Sequence, residues 1–206
     1  PSGGPAPSRG RPAALLSPSS GSGWEGRPIA LDAVATHPIR VFGDPVLKQR
    51  AAEVTDLDGK LAKLAQDMID TMYGAPGAGL AAPQVGVQKR IFVYDAGEGA
   101  RVIVNPAIVE SDGEWTYEEG CLSVPGLYWH ITRPKVVHLT GFDLEGNEVS
   151  IEADEFEARV FQHEMDHLNG TLLIERLDPD TRKQALRTLR NRDLALLDAD
   201  GDVRPR

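Results

Sequence analysis

The stretch Phe161-Gln162-His163-Glu164-Met165-Asp166-His167-Leu168-Asn169-Gly170 constrains this chain more than any other. On a helix, His163 and His167 stand one turn apart on the same face, so their imidazoles can converge on one metal ion. Glu164, beside the first histidine, is then placed to act as a general base on water at that ion. The competing reading is a solvated helix with two surface histidines. Against it, the apolar Phe156, Val160, Phe161, Met165 and Leu168 recur between Asp154 and Asn169 at spacings that suit one buried stripe. Asp154 is a candidate cap for this helix and Gly170 a left-handed stop. His163 lies beside the stripe, so the spacing predicts a partly buried metal.

Two histidines still need a third protein ligand. Where one metalloprotease pattern carries a third histidine this chain has Leu173, and after Glu175 it contains no glutamate at all. The ligand must come from upstream, where His37, His130, His138 and Cys121 are the candidates. A lone cysteine is ordinarily a small buried apolar residue. An orphan two-histidine site reverses that preference, because a thiolate satisfies the ion and the ion keeps the thiol deprotonated. Cys121 follows a strand-like run and sits beside Gly120, which lets the backbone turn. The three upstream histidines have no evident partner in sequence and read as structural or surface residues.

With 206 residues, 41% hydrophobic and 26% charged, the chain can build one domain with a substantial core. No run approaches the ~18 apolar residues that would cross a bilayer. The net charge of −9 argues against nucleic acid as the main ligand of the domain. A single cysteine cannot form an internal disulfide, which favours a reducing, cytoplasmic setting.

Residues 1–28, rich in Pro, Gly, Ser and Arg, read as a disordered tail, with an organellar transit peptide as the minor alternative. A single domain is expected over 29–200, followed by a flexible segment at 201–206. Helical stripes are predicted over 57–73, 154–169 and 180–197. Strands are predicted over 90–95, 101–109, 114–118, 136–143 and 148–153, with a hairpin turn at Glu145-Gly146-Asn147. Residues 171–175 form a short apolar piece. The breaker-rich Ala75 to Gly86 reads as a loop, of the kind that either connects elements or brings backbone close to a ligand. This order indicates an α+β fold: antiparallel strands packed around a central metal-binding helix, with a C-terminal helix.

Three segments then carry a specific resemblance. Gly77-Ala-Gly-Leu-Ala-Ala-Pro-Gln84, Glu119-Gly-Cys-Leu-Ser123 and Gln162-His-Glu-Met-Asp-His167 resemble, in that order, the signature motifs of peptide deformylases. The likeness extends to Gly43-Asp-Pro-Val-Leu47 and covers residues 39–177. It implies one divalent ion per chain, ferrous iron with zinc, nickel or cobalt as substitutes, held by Cys121, His163 and His167. It implies hydrolysis of the formyl group from N-formyl-methionyl nascent peptides, with release of formate. Glu164 would be the general base, and the Leu122 N–H and the Gln84 side chain would steady the oxyanion. Gly79 and Gly120 would lie on edges that pair with the substrate backbone. Tyr117, Leu122, Phe156 and Val160 are candidates for the methionine pocket. Arg159, where family members often carry an aliphatic residue, is expected to lay its stem along the pocket mouth and keep its charge in water.

Glu119 and Arg133 are a candidate ion pair bracing the cysteine loop, and Asp166 is either a partner of a ligand histidine or a helix-surface acid. The final helix carries Arg182, Lys183, Arg187, Arg190 and Arg192, a basic face that is either merely solvated or a docking patch for ribosomal RNA. Two other readings of the whole chain are an ordinary metallopeptidase and a catalytically silent nascent-chain-binding module. The first lacks its downstream ligand, and an intact Glu164 and Gln84 speak against the second.

Overall fold

The computed structural model describes residues 37–195. The expected tail at 1–28, the domain limits at 29 and 200, the segment 201–206 and the last turn of the final helix therefore fall outside the described residues. In chain order the strands are β1 (Gly79–Ala81), β2 (Ile91–Tyr94), β3 (Arg101–Asp112), β4 (Trp115–Cys121), β5 (Val124–Arg133), β6 (Val136–Phe142) and β7 (Glu148–Asp154). The helices are α1 (Gly59–Gly74), α2 (Glu155–Leu168) and α3 (Pro179–Ala195).

Five strands form an antiparallel sheet in the order β1-β2-β3-β6-β7, and β4 and β5 form a separate antiparallel hairpin. β2 is buried along its whole length, and its side chains alternate between two cores as strand geometry requires. Ile91 and Val93 join Leu61, Ala65, Met68 and Met72 of α1. Phe92 and Tyr94 face α2, where the Phe161 ring meets Tyr94 edge-on at 4.9 Å. A third cluster packs the hairpin against the chain's end through Cys121, Val124, Ile131, Leu173, Ala185 and Leu189. The two-histidine helix is thus clamped between the sheet and the hairpin. The fold is α+β, as the sequence predicts, and no helix among the described residues is long and apolar enough to cross a membrane.

The helix ends have local causes. Asp58 accepts the backbone N–H groups of Lys60 at 3.1 Å and Leu61 at 2.9 Å, so α1 begins at Gly59 rather than at Leu57. Asp154 does occupy the cap position of α2 but its side chain makes no capping bond. Gly170 follows with φ +74°, and a Cβ there would stand 2.9 Å from the backbone of Lys48, so both conformation and space demand glycine.

Strand assignments depart from the sequence in four places. β1 lies within the stretch that reads as a loop, and β3 runs on to Asp112 rather than ending at Val109. β4 runs on to Cys121, making the cysteine the last residue of a strand, and β5 is an element the sequence does not suggest. Pro125 and Gly126, directly after the first residue of β5, Val124, look like breakers, yet Leu127, Trp129 and Ile131 alternate with the more exposed Tyr128, His130 and Thr132. The apolar piece at 171–175 becomes a 3-10 turn over Leu173–Arg176.

Candidate active site

β4 and α2 bring the three ligand candidates together. The β4–β5 register slips between Gly120 and Cys121, turning the cysteine toward α2. Its Sγ lies 3.2 Å from His167 Nε2, and the nearest ligating atoms of Cys121, His163 and His167 all fall within 4.8 Å of one another. The two imidazole centroids are 5.0 Å apart. His37, His130 and His138 do not line the cleft; His138 instead contacts Ser150 at 2.7 Å.

Charge around this cluster is organised by Glu119, which is 5% exposed. Burial pushes its carboxyl up, but His163 and Arg133 outweigh burial and hold it down at about 2. Arg133 grips both oxygens, through Nε at 2.6 Å and Nη2 at 3.0 Å. The Nδ1 of His163 lies 3.1 Å from Glu119 Oε2. Because that carboxyl is ionised, the ring donates from Nδ1, so that once the ring is neutral, as a ligand must be, Nε2 is the nitrogen with the lone pair. Arg133 also reaches Asp166 at 2.9 Å, and Arg176 closes on Asp166 from the far side. Asp166 is therefore neither of the expected things: it is buried, and its partners are two arginines rather than a histidine or water.

Arg159 corrects a second expectation. Its guanidinium is not in water but buried, with the residue only 4% exposed. Nη1 donates to Glu119 and to the Ile131 carbonyl at 3.0 Å, and Nη2 to the Trp115 carbonyl at 2.5 Å. A charge can leave water at this point because a carboxylate and two carbonyls receive it.

Beside the cluster opens a cleft of about 420 Å³. Gly79, Gln84, Tyr117, Gly120, Leu122, Phe156, Arg159 and Val160 line it together with Cys121, His163 and Glu164, while His167 is buried behind. Burial pushes the Glu164 carboxyl up to about 7, and its Oε2 has no hydrogen-bond partner among the described residues. Gln84 is buried too, and its Oε1 accepts the Ala81 N–H at 2.8 Å. That bond orients the amide so that Nε2 is the donor end; one proton is directed to Ser123 Oγ at 3.2 Å. Ser123 and Tyr128 are among the site neighbours to which the sequence assigns no role. Tyr128 stands over Gly120, where a Cβ would lie 2.5 Å from its ring, and the alternation along β5 was the signal that could have found it.

A cation fits this donor set. Burial raises the Cys121 thiol, yet the neighbouring His167 and His163 outweigh it and hold the thiol well below its ordinary value. A thiolate and an imidazole lone pair braced by a carboxylate are soft and borderline donors suited to first-row divalent metals. A metal held in this way, with a carboxyl that can take up a proton at the wall of an adjoining cleft, equips the molecule as a metallohydrolase.

Comparison with known proteins narrows that class. Residues 36–183 match the family model described as polypeptide deformylase. A peptide deformylase of Acidothermus cellulolyticus is 48% identical over 162 residues, 79% of this chain and 90% of the relative. One from Agathobacter rectalis is 51% identical over 145 residues, 70% and 92% of the two chains. The Legionella pneumophila peptide deformylase structure aligns with TM-score 0.74 at 41% identity, covering 78% of this chain and 97% of its own. The structure of the Ehrlichia chaffeensis enzyme in complex with actinonin aligns with TM-score 0.74 at 37% identity, covering 77% and 98%. The chain belongs to the peptide deformylase family.

Proposed function

We propose that this protein hydrolyses the formyl group from the N-terminal formyl-methionine of nascent polypeptides, releasing formate and a free amino terminus. The observation that carries this reading is the convergence of Cys121, His163 and His167 beside the buried carboxyl of Glu164, in a chain of this family. Cys121, His163 and His167 would hold one divalent ion, ferrous iron by family resemblance, with zinc, nickel or cobalt as substitutes. When bound, such an ion supplies Lewis acidity and a hydroxide-like nucleophile near neutral pH.

The chain's own residues do the rest. Glu164 accepts the proton of the attacking water and delivers it to the departing amine nitrogen. Burial, which pushes this carboxyl up, favours its holding the proton between the two halves of that task. As the formyl carbon becomes tetrahedral, its oxyanion is met by the Leu122 N–H and by Gln84 Nε2, whose direction the Ala81 N–H has already set. Gln84 is neutral, so it steadies the oxyanion without gripping the product formate through charge.

Substrate binding would use two free edges. β1 ends the five-stranded sheet and β4 has a single neighbour, β5, so each offers backbone groups to an extended peptide. Gly79 and Gly120 lie on these edges. Leu122, Tyr117, Phe156 and Val160 give the pocket the apolar lining a methionine side chain needs, and Arg159 closes its wall. A Cβ at Gly79 would stand 2.9 Å from the Glu164 carboxyl carbon and overlap its Oε1. Gly79→Ala is therefore expected to lower kcat by about a hundredfold, the scale of a misplaced catalytic group, with metal content by elemental analysis unchanged.

The basic face of α3 supports a ribosomal contact. Arg182, Lys183, Arg187 and Arg190 line a shallow groove with Leu177 and Leu186 on a chain that is otherwise acidic. Neutralising the four should abolish salt-sensitive co-sedimentation with ribosomes while leaving hydrolysis of a short peptide intact; unchanged co-sedimentation removes this contact from the proposal.

The test of the main reading is formate release from a formyl-Met peptide by protein loaded with ferrous, nickel or cobalt ion without oxygen. Absence of release with all three ions overturns it.

A further inference from the structure

Glu119 is gripped by two arginines where one would balance its charge. Arg133 already holds both oxygens in a fork. Adding the Arg159 guanidinium to the same buried carboxylate carries a desolvation cost that an aliphatic pocket wall would not. The second arginine therefore needs a reason of its own.

Its contacts supply one. We propose that Arg159 is a positioning residue that fixes Glu119, and through it the imidazole of His163, while serving as the wall of the methionine pocket. Arg159 and His163 leave α2 one turn apart and meet on the two oxygens of a single carboxylate, Arg159 on Oε1 and His163 on Oε2 at 3.1 Å. The Arg133 fork fixes the plane of that carboxylate, and a third anchor on Oε1 stops it from pivoting away from the ring. Arg159 also binds the Trp115 carbonyl on β4 and the Ile131 carbonyl on β5, so it ties both strands of the cysteine-bearing hairpin to the histidine helix. Trp115 and Tyr117 stack at 4.7 Å, and the Arg159 guanidinium carbon lies 4.8 Å from the Trp115 ring centroid and 5.9 Å from that of Tyr117. Tyr117 and Arg159 both face the cleft. A side chain entering the pocket thus presses on the same guanidinium that holds Glu119.

This inference rests on the proposed function in taking His163 as a metal ligand and the cleft as the methionine pocket. The experiment compares Arg159→Met and Arg159→Lys with the unaltered protein, loaded with cobalt for the release and kinetic measurements and with diamagnetic zinc for the 15N measurement. Methionine keeps the length and apolar character of the wall and removes the donors; lysine can restore a charged contact to Glu119. Three quantities are read: the rate of cobalt release to a chelator, followed by the thiolate-to-cobalt absorption; the 15N shifts of the His163 ring; and kcat and KM separately. For Arg159→Met we expect cobalt affinity to fall about 10- to 100-fold, as for other losses around a ligand histidine. Altered His163 shifts should accompany it, with kcat falling further than KM rises. Arg159→Lys should recover most of the cobalt retention.

Unchanged cobalt release and His163 shifts in Arg159→Met, or a rise in KM alone, overturn the proposal and leave Arg159 a pocket wall. If Arg159→Met does not fold, Arg159→Leu, which also keeps an apolar wall and removes the donors, is read by the same criteria: faster cobalt loss with altered His163 shifts supports the role, and unchanged release and shifts overturn it. Failure of the unaltered protein to release formate would instead strike the functional reading, and the cobalt and 15N measurements would still stand.

Discussion

Glu164→Gln is expected to lower formate release by about 10²- to 10⁴-fold, the usual contribution of a positioned general base. Glutamine keeps the shape that fits beneath Gly79 but can neither accept nor deliver the proton. Because Glu164 lies in the cleft wall and is not among the three candidate ligands, metal content measured by elemental analysis should be unchanged. A loss of less than tenfold with full metal occupancy would mean that another group moves the proton. An equal loss of metal and activity would mean that Glu164 supports the ion rather than the chemistry.

Cys121→Ala should have an equally large effect for a different reason. The thiol is held well below its ordinary value, against burial, by the two histidines, so the site is built around a negative charge at that atom. Removing it leaves two imidazoles facing each other with no anion between them. We expect metal affinity to fall by more than ~100-fold, beyond what loss of a supporting contact causes, and formate release at micromolar metal to disappear. A stability measurement checks the same point independently of activity. An ion present at about a hundredfold over its Kd stabilises the folded state by about 2.7 kcal/mol. At roughly 2–4 °C for each kcal/mol, chelation should lower the Tm of the unaltered protein by about 5–10 °C. It should leave that of Cys121→Ala unmoved. A chelator-insensitive Tm in the unaltered protein would argue that no ion is held.

How much of this was legible in the sequence depends on how far apart the cooperating residues lie. α1 and α2 were readable because a helix announces itself through neighbours three and four positions away, and Gly170 marks an end locally. The two-histidine pair was readable for the same reason. Cys121 was one of four upstream candidates, favoured by thiolate chemistry and singled out by the resemblance, and the proposed roles of Gln84 and Leu122 came from resemblance alone. What stayed hidden was decided by distant partners. Arg159 looks like a surface arginine until Glu119, forty positions upstream, folds against it. Asp166 looks like a helix-surface acid until Arg133 and Arg176 converge on it from two other elements. β5 was hidden by its own first residues, because Pro125 and Gly126 mask an alternation that begins only at Leu127.

β1 is three residues long, and it forms one wall of a cleft roofed by the hairpin and the aromatic rim of Tyr117, Tyr128 and Phe156. An exposed sheet edge ordinarily invites pairing with any neighbouring strand, including one from another copy of the same chain. On the proposed reading, so short an edge pairs with a single extended strand, the form an unfolded chain terminus can take. A folded domain, whose first residues are already committed to structure, has nothing to offer it. On the proposed reading the geometry therefore acts as a clock. It confines processing to the interval in which a new polypeptide has left the site of synthesis and has not yet folded its own beginning.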